Sequence, residues 1–250
     1  MSKYKKIFPD DLPSGLPPQR PYDHKIELER GAQVTVRSQW RLSQPELMEL
    51  RTQLDYLLEK KIILFTPKKD GGLWMCTDYQ ALNNITNKSR YPIPRADGLI
   101  DQLRGGRIFP RLIYDEVTTR FVSQKLIFRR LLFETRYQSY KYTVMPFGLT
   151  NAPSIFQLTM NKVFRLLLDK CGIVYLDDIL VYRTLREQHL TDLEAVFTLC
   201  DQHRLITKGS MCKFLKEELE FMGHVVSTEG VKIDPKKIDT IHNWEPPTNV

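Results

Sequence analysis

Apolar residues recur at every third or fourth position in several stretches of the chain, which is the spacing of a helix with one buried face. Ahead of the first stretch, Ser43 and Glu46 have the spacing of a capping box, and Pro45 occupies an early helical position. A second stretch opens at Asn151 and Pro153. The inward positions are expected to be Leu47, Leu50, Leu54 and Leu57 in the first helix, and Phe156, Met160, Val163, Phe164 and Leu167 in the second.

Three further helices are expected elsewhere in the chain. A short helix covers 96–103, and another follows a capping box formed by Thr184 and Glu187. The last helix starts at Asp234 and Pro235, because proline is favoured in the first turn.

Short apolar runs between turn residues predict strands. The runs 173–176 and 179–182 flank two aspartates, and they predict a hairpin with Asp177 and Asp178 between its strands. Helices and strands alternate without a regular β-α-β order, which favours the α+β class. The other strands are expected near 62–65, 73–77, 108–114, 126–134, 140–144, 212–215, 219–226 and 231–233.

The pair Asp177-Asp178 is a poor structural choice for a hairpin tip, where glycine or asparagine usually provides a positive φ. The two charges repel each other, and burial beside the apolar strands would remove the water that screens them. Two Mg²⁺ ions about 3.5–4 Å apart would relieve this repulsion and, in the same place, activate a 3′-hydroxyl and stabilise a leaving pyrophosphate. An exposed acidic turn is the alternative interpretation, and the apolar strands on both sides favour the metal site.

Two other stretches have the composition of phosphate-binding loops. In the stretch 145–153, Gly148 allows a ligand to approach the backbone, and the following helix directs its N-terminus to the same region. The basic turn 68–72 contains Lys68 and Lys69, whose charges suit a triphosphate. Standing alone, the first stretch is explained equally well by an ordinary strand-to-helix turn, and the second is better explained by a solvated basic turn.

Composition and charge agree with a nucleic-acid partner. The 250 residues include 37 Lys and Arg against 30 Asp and Glu, a formal net charge of +7 that suits a polyanion. The four cysteines form no C-x-x-C pair, so we expect no zinc site and a reducing intracellular compartment, cytoplasmic or nuclear. No signal peptide and no stretch long enough to span a membrane is visible, so no membrane partner is expected.

In the aspartate hairpin, in the stretches 68–72 and 145–153, and in the segments between them, the sequence resembles the reverse transcriptases of gypsy-type LTR retrotransposons. The matching motifs follow the order typical of that family and extend over nearly the whole chain. They are Phe8-Pro9-Asp10-Asp11-Leu12-Pro13, Lys68-Lys69-Asp70-Gly71, Asp78-Tyr79, Ala81-Leu82-Asn83, Arg90-Tyr91-Pro92-Ile93-Pro94-Arg95, the stretch 144–153, Tyr175-Leu176-Asp177-Asp178 and Phe221-Met222-Gly223-His224.

The resemblance implies a right-hand polymerase fold of fingers and palm, with an antiparallel palm sheet and packed helices. It implies an RNA-directed DNA polymerase, a nucleotidyltransferase that adds dNTPs to a DNA primer on an RNA or DNA template with two Mg²⁺ ions, or Mn²⁺ in their place. The chain would divide into an extended Pro-rich lead-in at 1–30, fingers and the first part of the palm at 31–106, the palm with both hairpins at 107–230, and the start of a truncated thumb at 231–250.

The resemblance also assigns roles to individual residues. Asp177 and Asp178 would be the catalytic, metal-binding carboxylates of the hairpin. The substrate- and primer-binding residues would be Lys68 and Lys69 at the triphosphate, Phe147 and Gly148 under the incoming nucleotide, and Met222 and Gly223 at the primer end.

Three departures from the family pattern matter, one of which is a shortened stretch of the fingers between Lys60 and Lys68. The first catalytic aspartate of the family falls on Ile113, and the nearest carboxylate, Asp115, comes two residues later. Because residues i and i+2 of a strand share a face, a local slip would let Asp115 serve as the third catalytic, metal-binding carboxylate. The arginine that grips the triphosphate is replaced by Trp74, which carries no charge.

Three hypotheses follow from this pattern. The first is an active polymerase fragment that uses all three aspartates. The second is a degenerate retroelement copy that folds and binds nucleic acid without polymerising. The third is a basic nucleic-acid-binding or assembly module without the ancestral chemistry.

Overall fold

The computed structural model describes most of the chain from Asn151 onward and several segments before it. The described residues are 2–9, 23, 25–32, 43–60, 79–103, 109–113, 131–134, 139–142, 144–207, 209–216, 218–242 and 244. The predicted strands at 62–65 and 73–77, the basic turn 68–72, Trp74 and Asp115 lie outside these residues.

Within the described residues the chain forms six α-helices, nine strands and two short 3-10 helices. The α-helices are α1 (Gln44–Lys60), α2 (Gln80–Asn84), α3 (Ala96–Gln102), α4 (Ala152–Val163), α5 (Arg186–Gln202) and α6 (Pro235–His242). The strands are β1 (Phe109–Ile113), β2 (Leu132–Glu134), β3 (Ser139–Lys141), β4 (Gly172–Tyr175), β5 (Asp178–Val181), β6 (Lys213–Lys216), β7 (Glu218–Phe221), β8 (His224–Ser227) and β9 (Gly230–Ile233). The 3-10 helices are Ser2–Ile7 and Gly209–Met211.

The strands form three antiparallel sheets. The largest has the order β4-β5-β1-β6, the second has the order β7-β8-β9, and β2 pairs with β3. All strand pairs in these sheets are antiparallel, and no parallel β-α-β unit occurs in the described residues, so the predicted α+β class is confirmed.

The β4–β5 hairpin lies between two hydrophobic clusters. The paired residues Val174 and Ile179 belong to the larger cluster, which includes side chains of α4 and α5. The paired residues Ile173 and Leu180 belong to the smaller cluster, with side chains of α3, β7 and β8. All four are at most 3% exposed. Because a strand alternates its faces, a register slip of one residue would exchange the two sets, and the packing therefore fixes the position of the hairpin.

The predicted starts of α1, α3, α4 and α6 are confirmed, and the predicted capping box of α5 is wrong. At the start of α1, the N–H of Ser43 donates to the Glu46 carboxylate at 2.6 Å, as a capping box requires. Helix α4 starts at Ala152, one residue after Asn151. Helix α5 starts at Arg186, and its preceding residue Leu185 makes no capping bond, so the predicted capping box at Thr184 is wrong.

The first residues of the predicted extended lead-in are helical and packed. Ile7 is 2% exposed, and its carbonyl accepts a hydrogen bond from the Thr207 N–H at 2.8 Å. The Tyr4 ring lies 5.4 Å from the Phe197 ring of α5. Ile7 and Tyr4 therefore belong to the larger hydrophobic cluster, whereas most of the Pro-rich part lies outside the described residues.

None of the helices in the described residues combines the length and the apolar character that a membrane crossing requires.

Candidate active site at the β4–β5 hairpin

The two aspartates occupy different positions in the hairpin. Tyr175 pairs with Asp178, so the two-residue turn is Leu176-Asp177 and Asp178 is the first residue of β5. The prediction that both aspartates separate the strands is therefore wrong by one residue. Asp177 is exposed and Asp178 is half-buried, so the expected burial of both carboxylates beside the apolar strands is also wrong for Asp177.

The turn depends on a residue with an unusual backbone conformation. Leu176 has φ +49°, in the left-handed region that a residue with a branched side chain rarely adopts. Such a conformation costs about 1–2 kcal/mol and persists only where surrounding contacts hold it. The site therefore needs a second element to hold the turn.

Gln157 of α4 provides that support. Its side chain is 0% exposed, and its Oε1 accepts a hydrogen bond from the Leu176 N–H at 2.8 Å. Its Nε2 donates to the Val174 carbonyl at 3.0 Å and to Asn161 Oδ1 at 2.8 Å. One buried amide thus satisfies the Val174 carbonyl at the end of β4 and the Leu176 N–H in the turn, which orients the residue that follows, Asp177.

Sequence reasoning missed Gln157 as a functional residue. The available signal was a glutamine beside Phe156 on the buried side of an amphipathic helix, where a polar side chain needs a partner. Nothing in the sequence specified that the partner is a turn 19 residues further along the chain.

The same helix also holds the extended segment 87–95. Asn161 Nδ2 donates to the Tyr91 hydroxyl at 2.8 Å. At the other end of α4, Asn151 Oδ1 accepts from the Ser89 N–H at 2.8 Å, and its Nδ2 donates to the Asn87 carbonyl at 2.8 Å. The hairpin and the segment 87–95 are therefore held by the same helix.

Strand β1 brings a third position to the aspartates. In its register with β5, Ile113 lies directly across from Asp178, and Arg111 lies across from Leu180. The position at which the family pattern expects its first aspartate is thus adjacent to the hairpin, and it is occupied by isoleucine. Asp115 follows two residues after the end of β1, outside the described residues.

The described residues provide only part of a metal site. They contain no group of three or more His, Cys, Asp or Glu side chains arranged to hold a metal ion. Asp177 and Asp178 provide oxygen donors, which suit hard cations such as Mg²⁺. A complete two-metal site needs a further carboxylate, and Asp115 is the predicted candidate.

The stretch that precedes α4 forms a rigid turn. Gly148 has φ +87°, which glycine adopts without strain, and its carbonyl accepts a hydrogen bond from Asn83 Nδ2 at 2.7 Å. Asn83 Oδ1 also accepts from the Thr150 N–H at 2.8 Å. Phe147 is 43% exposed, although the two residues before it, Met145 and Pro146, are buried. The clamped turn therefore presents an aromatic ring and an open glycine backbone to solvent.

The second predicted functional hairpin is the turn between β7 and β8. Phe221 pairs with His224, so the turn is Met222-Gly223, and the two residues have φ +50° and +74°. Two positive φ values are typical of a type I′ turn, in which glycine at the second position is favoured. Phe221 packs in the smaller cluster together with Ile173 of β4, so the two hairpins share one core.

Comparison with known proteins extends these observations. A family model described as reverse transcriptase (RNA-dependent DNA polymerase) matches residues 66–226. The retrovirus-related Pol polyprotein from transposon 297 of Drosophila melanogaster is 32% identical over 226 residues, which is 84% of this chain and 21% of that protein. The Transposon Tf2-3 polyprotein of Schizosaccharomyces pombe is 28% identical over 187 residues, 75% of this chain and 14% of that protein. The chain therefore spans about a fifth or less of the length of these relatives.

Solved structures confirm the fold. The foamy viral protease-reverse transcriptase in complex with an RNA/DNA hybrid superimposes with a TM-score of 0.86 at 18% identity, over 98% of this chain and 34% of that chain. The same viral protein in complex with dsDNA gives a TM-score of 0.87 at 19% identity, over 98% and 53% of the two chains. The right-hand polymerase fold expected from the sequence is thus confirmed.

Proposed function

The chain belongs to the reverse transcriptase (RNA-dependent DNA polymerase) family, and from this membership we propose that it is the fingers-and-palm part of an RNA-directed DNA polymerase. The observation that carries the proposal is the β4–β5 hairpin. Its turn exposes Asp177 to solvent, its second strand places Asp178 across from the end of β1, and the buried Gln157 holds the turn residue Leu176 that precedes Asp177. The reaction is the transfer of a nucleotide from a dNTP to the 3′-hydroxyl of a DNA primer.

Asp177 and Asp178 would hold the divalent cations, with Asp115 as the third ligand. Two Mg²⁺ ions, or Mn²⁺ ions, would supply activation of the 3′-hydroxyl and stabilisation of the leaving pyrophosphate. The protein contributes orientation, because the Gln157 amide prevents the turn from relaxing away from its left-handed conformation.

The clamped turn at Phe147 and Gly148 is the proposed platform for the incoming nucleotide. An exposed aromatic ring suits stacking on a base or sugar, and a glycine backbone allows close approach. Lys68 and Lys69 are proposed to neutralise the triphosphate, a role made more important by Trp74 at the position where the family carries an arginine.

The proposed partners are an RNA or DNA template and a DNA primer. The net charge of +7 supports a polyanionic partner, and the structurally similar viral protein was solved with an RNA/DNA hybrid and with dsDNA. We propose that the Met222-Gly223 turn holds the primer end, because it shares its core with the hairpin that carries the aspartates.

The second candidate function is a degenerate copy that binds nucleic acid without polymerising. The observation that favours it is Ile113 across from Asp178, since two aspartates from one hairpin cannot bracket two metal ions without a third group.

Primer extension separates the two functions. The 250-residue chain is incubated with a DNA primer on an RNA template, all four dNTPs and Mg²⁺, and in parallel with Mn²⁺. Extension by the wild type that is lost in Asp115→Asn supports the polymerase with three carboxylates. Binding of the primer–template without extension in either metal supports the degenerate copy.

A further inference from the structure

Lys237 lies against the turn that is proposed to hold the primer end. The side chain leaves the first turn of α6, and its ammonium covers Gly223. A methyl group at Gly223 would overlap this ammonium, so the close approach requires the glycine. The Met222-Gly223 turn thus has a positive charge beside it that comes from Lys237 of α6, not from a residue of the turn.

The other lysines around this turn have acidic partners. Lys236 lies 2.8 Å from Glu220, and Lys232 lies 2.7 Å from Glu229. Within the described residues, no ion pair involves Lys237. The Asp234 carboxylate accepts a hydrogen bond from the Lys236 N–H at 3.0 Å and so caps the start of α6.

Helix stability does not explain a lysine at this place. A positive charge in the first turn is unfavourable with the helix dipole, and the first turn of α6 contains no acidic residue. Nor do the turn carbonyls require the ammonium, because Met222 O lies 3.2 Å from His224 Nδ1 and Gly223 O accepts from the Asp234 N–H at 3.2 Å. The charge is therefore available to an external anion.

We propose that the Lys237 ammonium binds a backbone phosphate near the 3′ end of the primer, and so fixes the primer strand on the Met222-Gly223 turn. This inference rests on the proposed function, because only a nucleic-acid strand on that turn brings a phosphate to the ammonium. A compact ammonium on a flexible stem suits a single phosphate as a point charge.

The first test measures equilibrium binding of a primer–template without dNTPs. Fluorescence anisotropy monitors the binding at several salt concentrations. We expect Lys237→Ala to weaken binding roughly tenfold and to reduce the salt slope by about 0.9. Lys236→Ala removes the same charge from the adjacent position of the same helix. We expect its affinity for the primer–template to stay within about twofold of the wild-type affinity. Lys237→Arg should retain most of the binding.

The second test assigns the phosphate. A neutral methylphosphonate is placed in turn at each of the last linkages of the primer. At one linkage we expect the wild type to lose roughly tenfold in affinity, while Lys237→Ala loses nothing further, because the two changes remove the same contact.

The outcomes separate this inference from the proposed function. If the wild type does not bind the primer–template, the proposed function fails. If the wild type binds and Lys237→Ala matches Lys236→Ala, only the inference is overturned. Additive losses at every linkage would also overturn it, because the lysine would then act as general positive charge.

Discussion

At the scale of single residues, the two hairpin carboxylates are held differently. Asp178 belongs to a strand with paired neighbours on both sides, Tyr175 in β4 and Ile113 in β1. Asp177 belongs to the turn, and its direction depends on the left-handed conformation of Leu176. A metal ion bound by both aspartates would therefore be positioned by the strand register and by the turn together.

The register across from Asp178 gives a residue-scale prediction about the third carboxylate. In Asp115→Asn we expect primer extension to be lost, and we expect the additional change Ile113→Asp to restore it, because position 113 faces Asp178 in the ladder. Extension rates of the wild type and of the single and double variants measure this. Unchanged extension in Asp115→Asn would refute a role for Asp115, and no recovery in the double variant would refute the placement of position 113.

His189 gives a prediction about pH. It is 0% exposed on α5, and neither ring nitrogen has a hydrogen-bond partner in the described part of the chain. Burial lowers the pKa of His189, and the nearby Asp192 opposes this shift in part. Below about pH 6.5 the unfolded chain therefore binds a proton at His189 that the folded protein does not bind. The free energy of unfolding is unaffected by His189 above this pH, and it decreases as the pH falls towards the lowered pKa.

Urea unfolding at pH 7.5 and pH 5.5 measures this effect. We expect His189→Leu to lose less free energy of unfolding between the two pH values than the wild type does. His242→Leu, at an exposed position of α6, is the matched control and should follow the wild type. Equal losses in the wild type and in His189→Leu would show that His189 does not contribute to the pH dependence.

At the scale of elements, helix α4 positions the site. Its apolar side packs on the β4–β5 hairpin, while its amides hold the turn and the segment 87–95. The buried amide is costly without partners, so its hydrogen bonds specify one arrangement of helix and hairpin. Hydrophobic packing alone would tolerate small shifts between the two elements.

Gln157→Leu tests this function of α4. The variant leaves the Leu176 N–H and the Val174 carbonyl without their partner, and we expect it to lower the free energy of unfolding by about 2–4 kcal/mol. Nucleotide incorporation should fall further than the folded fraction does, because the turn is released. Gln188→Leu makes the same change at an exposed position of α5. Its free energy of unfolding should stay within about 0.5 kcal/mol of the wild-type value. Equal effects of both substitutions would contradict the account.

The elements that the sequence predicted well are those with a strong local pattern. Helices α3 and α4 and the β4–β5 hairpin follow from apolar periodicity and turn residues. The Met222-Gly223 hairpin is expected only from the family resemblance, since the apolar run 219–226 predicts a single strand. The position of the turn could not be predicted, because Leu176 continues the apolar run but adopts a left-handed conformation that only the distant Gln157 supports. The contact of Lys237 with Gly223 has the same origin, since it depends on how α6 folds back on the hairpin.

At the scale of the whole molecule, one core joins the parts that a polymerase must keep in register. The smaller hydrophobic cluster combines Ile173 and Leu180 of the aspartate hairpin with Phe221 of the Met222-Gly223 hairpin. Close-packed interiors transmit displacement, so the Met222-Gly223 turn and the aspartate hairpin are held at a fixed separation. The solved foamy viral protease-reverse transcriptase structures match this fold at TM-scores of 0.86 and 0.87.

Single-nucleotide incorporation tests the proposal that the Asp177-Asp178 hairpin catalyses nucleotide transfer. The 250-residue chain is bound to a DNA primer on an RNA template, and the addition of one complementary dNTP is followed in Mg²⁺ and in Mn²⁺. We expect incorporation by the wild type, a loss of at least about 100-fold in Asp177→Asn, and little change in Asp169→Asn, which removes the same charge from another exposed turn. Incorporation that is insensitive to Asp177→Asn, or its absence in the wild type with both metals, would contradict the claim.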